Sequence, residues 1–145
     1  MRTILFRGKR TDDSRWVKGY YIHLHKTTVC CSPDPPDNDV HQIVFEEMTD
    51  WNLPNKWLRA DVDPETVGQF TGLNDSEFHS IFEGDIVRML EDSRCFEIRY
   101  DAGEFCFYRD DTWYDRLDSY SARSCIILGN IHDNPELLKE DNDDA

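Results

Sequence analysis

The stretch "VGQFTGLNDSEFHSIFEGDIV", residues 67–87, sets three glycines, a Thr-Gly pair and a Gly-Asp pair among apolar residues. Gly68, Gly72 and Gly84 suit positions that need positive φ or a close backbone approach. Ile81 and Phe82 are apolar plugs between them. Glu83 and Asp85 lie two apart, so an extended chain projects both to one side. Such a pair can share a proton or hold a metal. Acids beside glycines also make turns and solvated edges, and no partner base or third ligand accompanies these two. The stretch is therefore read as a turn that builds a fold. No catalytic, cofactor-binding or metal-binding residue is assigned to it.

Toward the C-terminus, "DIVRML" (85–90) reads as a strand. "RCFEIRY" (94–100) alternates Phe96, Ile98 and Tyr100 against Glu97 and Arg99, which is period two with one buried face. "DAG" (101–103) turns the chain, and "EFCFYR" (104–109) returns with Phe105 and Phe107 in step, predicting a hairpin. In "DDTWYDRLDSYSARS" (110–124) Trp113, Leu117 and Tyr120 have helical spacing, with Asp111 or Thr112 as cap. "CIILGNI" (125–131) predicts a buried strand. In "NPELLKE" (134–140) Asn134 suits an N-cap, Pro135 the first helical position and Glu136 the positive helix end. A short terminal helix follows from this, and residues 139–145 are expected to form an acidic disordered tail.

Toward the N-terminus, "TILFRG" (3–8) and "RWVKGYYIHL" (15–24) flank the turn "TDDS" (11–14), predicting another hairpin. Val17, Gly19, Tyr21 and His23 share one face; Trp16, Lys18, Tyr20 and Ile22 share the other. Neither face is cleanly apolar. "TTVCC" (27–31) is a strand candidate. "SPDPPDND" (32–39) is a loop, since three prolines break ladders and helices alike. "VHQIVFEE" (40–47) is a strand, and "MTDWNLPNKW" (48–57) is irregular around Pro54. Many short strands and little helix predict a mostly β protein, a small barrel with a helical turn or two. The units expected are an N-terminal β subdomain, 1–60, and a second domain, 61–138.

"ETVGQFTGLND…SIFEGDIV" followed by "GNIHDNPELL" resembles the YopX family of phage and prophage proteins. The opening "ILFRGKRTDDSRWVKGYYI" resembles that family's opening, and the likeness runs from about residue 3 to 138. One departure is Ser76, Glu77, Phe78 and His79, where family members typically carry a Lys/Asn/Gly-type turn. The resemblance implies a two-part protein whose C-terminal part is similar to an SH3-type barrel. It also implies phage or prophage origin, hence the bacterial cytoplasm. It supplies no biochemical activity and no catalytic residues to carry over.

Bulk composition narrows the function classes. The net charge of −14 repels nucleic acid, because phosphate binding needs clustered Lys and Arg. It also repels anionic membranes and steers the chain toward basic partners. No apolar run is long enough to span a bilayer, and the N-terminus lacks the apolar stretch of a secretory signal. Cytoplasmic residence is the expectation. An odd set of cysteines, Cys30, Cys31, Cys95, Cys106 and Cys125, argues against a disulfide framework. The "NDS" acceptor at 74–76 carries no weight without secretion.

His23 and His25 share a strand face, and Cys30, Cys31 and His41 follow, a set from which zinc sites draw. Cys30 and Cys31 are adjacent, so on a strand they point to opposite faces, and no CxxC or HxxxH spacing appears. A histidine pair without metal is the simpler reading. No G-x-S-x-G elbow, P-loop or G-x-G-x-x-G is present. Trp113, Tyr114 and Tyr120 are of a type that stacks bases, but Asp110, Asp111, Asp115 and Asp118 beside them repel phosphates. The expectation is a non-enzymatic accessory protein, without cofactor, that works by protein contact. Its partner is a second copy of itself or a host or phage protein with a basic surface. One alternative is an acidic nucleic-acid mimic that blocks a nucleic-acid-binding protein. The other is a metal-dependent or acid–base enzyme built on Glu83 and Asp85 or on the His23/His25 face.

Overall fold

The computed structural model describes residues 1–24 and 39–140. The strand predicted at 27–31, most of the proline loop, His25, Cys30, Cys31 and the tail from 141 lie outside them. The chain is mostly β and divides into two units, Met1–Val67 and Gly68–Ala145.

The N-terminal unit is an antiparallel ladder of four strands: β1 (Phe6–Lys9), β2 (Trp16–Leu24), β3 (Val40–Glu47) and β4 (Lys56–Asp61). The predicted first hairpin forms with Gly8 opposite Val17. On the next pairing Tyr21 faces Ile43, and Ile43 faces Ala60. β4 falls partly in the stretch read as irregular. Pro54 ends its disruption one residue before the strand, and "KWLRAD" then pairs with β3 along its whole length. Alternation puts Val17, Ile43 and Ala60 on one face, where they form a buried core with Val62. Tyr21, Phe45 and Val67 pack against it. That settles which face of β2 is inward.

The boundary lies at residue 67 rather than 60. Residues 61–67 are fastened to the first hairpin. The NH of Asp63 donates to the Lys9 carbonyl at 2.9 Å, and the Lys9 NH donates to Thr66 Oγ1 at 2.9 Å. A single 3₁₀ turn, Pro64–Thr66, is capped by the Asp63 carboxylate.

In the C-terminal unit β5 (Gly68–Asn74) and β6 (Ser80–Phe82) make a hairpin. A five-stranded antiparallel sheet follows, in the order β10-β9-β8-β7-β11. Its strands are β7 (Asp85–Met89), β8 (Cys95–Asp101), β9 (Glu104–Arg109), β10 (Thr112–Arg116) and β11 (Cys125–Asn130). The predicted 94–109 hairpin forms, with Ile98 opposite Phe107 and Asp101 opposite Glu104. Its inward residues Phe96, Ile98 and Phe107 are buried with Ile81, Val87, Ala122 and Cys125. Among the described residues no ladder pairs β10 with β11, so this is an open sheet and the closed SH3-type barrel is not seen.

The helical spacing in 110–124 misleads for half its length. Trp113 sits in β10, paired to β9 with a bulge between Trp113 and Asp115. Helix α1 covers only Ser119–Arg123, and its cap is Asp118, which with Ser121 forms a reciprocal capping box. Neither Asp111 nor Thr112 caps it. Helix α2 is Leu137–Glu140, so residues 139 and 140 belong to it rather than to a tail.

The glycine-punctuated stretch builds turns. Gly72 and Gly84 have φ of 85° and 92°. Gly68 serves close approach, since a Cβ there would lie 2.3 Å from the Glu83 carbonyl oxygen. At the Glu83–Gly84 turn, the Glu83 NH donates to Gln69 (2.9 Å) and the Gly84 NH to Ile98 (2.8 Å). The Gly84 carbonyl accepts from the Ile131 NH (2.9 Å).

The 75–79 loop has a different anchor. Asp75 is fully buried, and its carboxylate accepts the NH groups of Glu77 (2.9 Å), His79 (2.8 Å) and Ile127 (3.1 Å). Phe78 pays for this loop geometry with a φ of 66°, although it is 81% exposed. A left-handed conformation costs a residue with a Cβ about 1–2 kcal/mol. Phe78→Gly should therefore raise the unfolding free energy by about 1 kcal/mol, read by urea denaturation.

Candidate functional site

Glu83 and Asp85 engage different backbone groups. Asp85 is buried, and its Oδ2 accepts the NH of Phe82 at 2.7 Å, bracing the turn it follows. The Glu83 carboxylate lies 3.5 Å from the Gln69 NH. Burial, with the nearby charge of Glu97, holds its pKa above the ordinary value despite that NH. The two acids thus support different backbone segments. Cys95, Cys106 and Cys125 are buried. Burial, aided by the charges of Asp75 and Asp85, pushes Cys125 up to about 12, and burial also raises Cys106. Such thiols are poor nucleophiles at neutral pH.

His23 and His41 do come together, on the inner face of the N-terminal sheet. They sit directly opposite each other on β2 and β3. Asp39, two residues before His41, completes the cluster, and the three ligand atoms lie within 4.8 Å of one another. The sequence reading passed over Asp39 because it counted it with the proline loop. The signal was present in the D-x-H spacing, which strand alternation turns into one shared face.

The outer face of the same sheet has a different character. Alternation and register place Arg7 and Lys9 of β1, Trp16, Lys18 and Tyr20 of β2, Val44 of β3, and Trp57 and Arg59 of β4 there. Tyr20 is 47% exposed and Trp57 59%, with their rings 6.5 Å apart. The Arg7 guanidinium lies 5.0 Å and the Lys9 ammonium 5.8 Å from the centre of the Trp16 ring. Trp16, Lys18, Tyr20, Val44 and Trp57 line a shallow depression of about 480 Å³. Next to it, the connection from β3 to β4 exposes Met48, Trp51 and Leu53.

Charge is divided unevenly between the units. The N-terminal unit has nine Lys and Arg against eleven Asp and Glu, a net of −2. The C-terminal unit has seven against nineteen, a net of −12. Cations are interleaved with the acids there: Arg94 pairs with Asp92, and Arg99 with Glu97 and Asp111. Among the described residues no helix is long and apolar enough to cross a membrane.

The family described as "YopX protein" matches this chain over residues 5–139. The chain belongs to the YopX family. Among solved structures, this YopX-family chain is similar to protein EF1440 from Enterococcus faecalis. The two share 22% identity and a TM-score of 0.54, over 95% of this chain and 99% of that one. That likeness concerns the fold. No curated protein matches the chain. The family resemblance read from residues 3–138 is thus shown, and neither comparison names an activity.

Proposed function

We propose that this YopX-family protein is a phage or prophage accessory protein of the bacterial cytoplasm that works by protein contact rather than catalysis. Its contact surface is the outer face of the N-terminal sheet. The observation that carries this reading is the collection of Trp16, Tyr20 and Trp57 with Arg7, Lys18 and Arg59 on that face. Trp, Tyr and Arg are the residue types in which interface energy concentrates. The partner is a second copy of the chain. The face carries cations, and the C-terminal unit carries a net of −12, so two copies are complementary in charge. The same acidic unit suits a host or phage protein with a basic surface.

A nucleic-acid partner fits less well, because Glu46 and Asp61 share the outer face with the cations and the whole chain repels phosphate. The mimic alternative calls for an unbroken acidic surface, and the interleaved Arg94 and Arg99 argue against it.

Light scattering with size-exclusion chromatography tests the reading. The expected result is a concentration-dependent oligomer that weakens in salt. Tyr20→Ala with Trp57→Ala should weaken association about 30-fold or more, the size of a hot-spot loss of about 2 kcal/mol, with an unchanged circular dichroism spectrum. A wild-type protein that stays monomeric, or one that binds a single-stranded oligonucleotide through this face, overturns it.

A further inference from the structure

The inner face of the N-terminal sheet ends in a cluster that core packing does not account for. On β2 the inward positions run Val17, Gly19, Tyr21, His23, and on β3 they run His41, Ile43, Phe45. The apolar core occupies the middle of this face, and histidines occupy the end from which the chain leaves β2 and re-enters β3. Their rings stack with centroids 4.3 Å apart and planes 17° from parallel. His23 Nε2 lies 3.0 Å from Asp39 Oδ2. That is the spacing of two neighbouring ligands around one ion with bonds of about 2.0–2.2 Å.

Tyr21 supplies what a metal-binding imidazole normally has behind it. Its hydroxyl is hydrogen-bonded to His41 Nδ1, and its ring stacks on that imidazole at 5.9 Å. With Nδ1 engaged, Nε2 is the nitrogen left to face an ion, and the hydrogen bond fixes the ring's orientation. The side chains of His23 and Asp39 are 37% and 30% exposed. A cleft of about 420 Å³ bounded by Thr11, Asp39, His41 and Asp61 opens beside them and provides an entry path. Two imidazoles and one carboxylate suit a borderline divalent cation such as Zn²⁺ rather than Mg²⁺ or Ca²⁺, which prefer all-oxygen shells.

We propose that His23, Asp39 and His41 form a Zn²⁺-class site that clamps the end of β2 to the start of β3, with water completing the shell. The site is separate from the outer contact face and does not depend on it.

Isothermal titration of Zn²⁺ into chelator-stripped, full-length protein without a histidine tag is the test. The expected result is one site, with affinity falling about 100-fold or more in His23→Gln, His41→Gln and Asp39→Asn. Tyr21→Phe, which removes only the outer hydrogen bond, should lose about tenfold. His79→Gln, in the other unit, should bind as wild type. The Co²⁺-loaded protein should show visible d–d bands without a thiolate charge-transfer band. Asp39 lies outside the core, so Asp39→Asn, with circular dichroism as a control, keeps the test valid should a histidine variant misfold. Absence of stoichiometric Zn²⁺ binding, undiminished binding by these variants, or a thiolate band overturns the proposal.

Discussion

Replacing Asp75 with alanine should lower the unfolding free energy of the C-terminal unit by about 3–5 kcal/mol. Its carboxylate is fully buried and accepts three backbone NH groups, two from its own loop and one from Ile127 on β11. Each hydrogen bond to a charged group contributes about 1.5–3 kcal/mol, and donors left without an acceptor in a buried setting cost more. Asp75→Asn keeps one carbonyl acceptor and should lose roughly half as much. Burial pushes the Asp75 pKa up, but the NH donors and the neighbouring His79 outweigh it, and the net direction is down. A carboxyl whose folded pKa is depressed adds stability that is fully present above its unfolded value. That stability is lost as pH falls through the folded value. Below about pH 4, the ordinary range of an unfolded Asp, wild-type stability should therefore fall more steeply than that of Asp75→Asn. Urea unfolding between pH 7 and pH 2.5 checks both the size and the slope. Equal slopes would show that Asp75 does not anchor the loop.

Gly84→Val should cost about 2–3 kcal/mol and loosen the whole C-terminal unit rather than the turn alone. Gly84 has a φ of 92°, which a β-branched residue adopts only under strain. The turn cannot relax cheaply. Its NH and carbonyl groups are bonded to β5, β8 and the segment after β11, and Asp85 braces the turn from within. Thermal unfolding followed by near-ultraviolet circular dichroism should show one lowered transition for the unit's buried aromatics. Unchanged unfolding would contradict the assignment of 67–87 as scaffold.

The fold was legible where local chemistry and tertiary packing agree. Period-two alternation in Phe96, Ile98 and Tyr100 specified a strand and a hairpin, and both are observed; Phe96 and Ile98 are buried as the pattern implies, while Tyr100, near the hairpin turn, is exposed. Gly72 and Gly84 were readable as positive-φ turns for the same reason. The 110–124 segment misled because Trp113, Leu117 and Tyr120 satisfy a helical period by chance. The decisive local signal is the Asp118–Ser121 capping box, which starts the helix at Ser119, six residues after Trp113. β4 was hidden by Pro54, whose influence ends before Lys56. The barrel implied by resemblance depends on closure between distant strands, which no local pattern encodes. Of the candidate site, His23 and His41 were visible as residue types. Their convergence with Asp39 was not, because it depends on the β2–β3 register across a long connection.

The bond from Ile131 to the Gly84 carbonyl joins the turn leading into β7 to the segment after β11. As the polypeptide leaves the ribosome, β7 emerges without β11, the neighbour that covers its free side. Hydrophobic burial around Val87 must wait until the strand from Cys125 to Asn130 has been translated. Synthesis thus leaves the nascent unit open until β11 has emerged, a window in which chaperone engagement or aggregation competes with closure of the sheet.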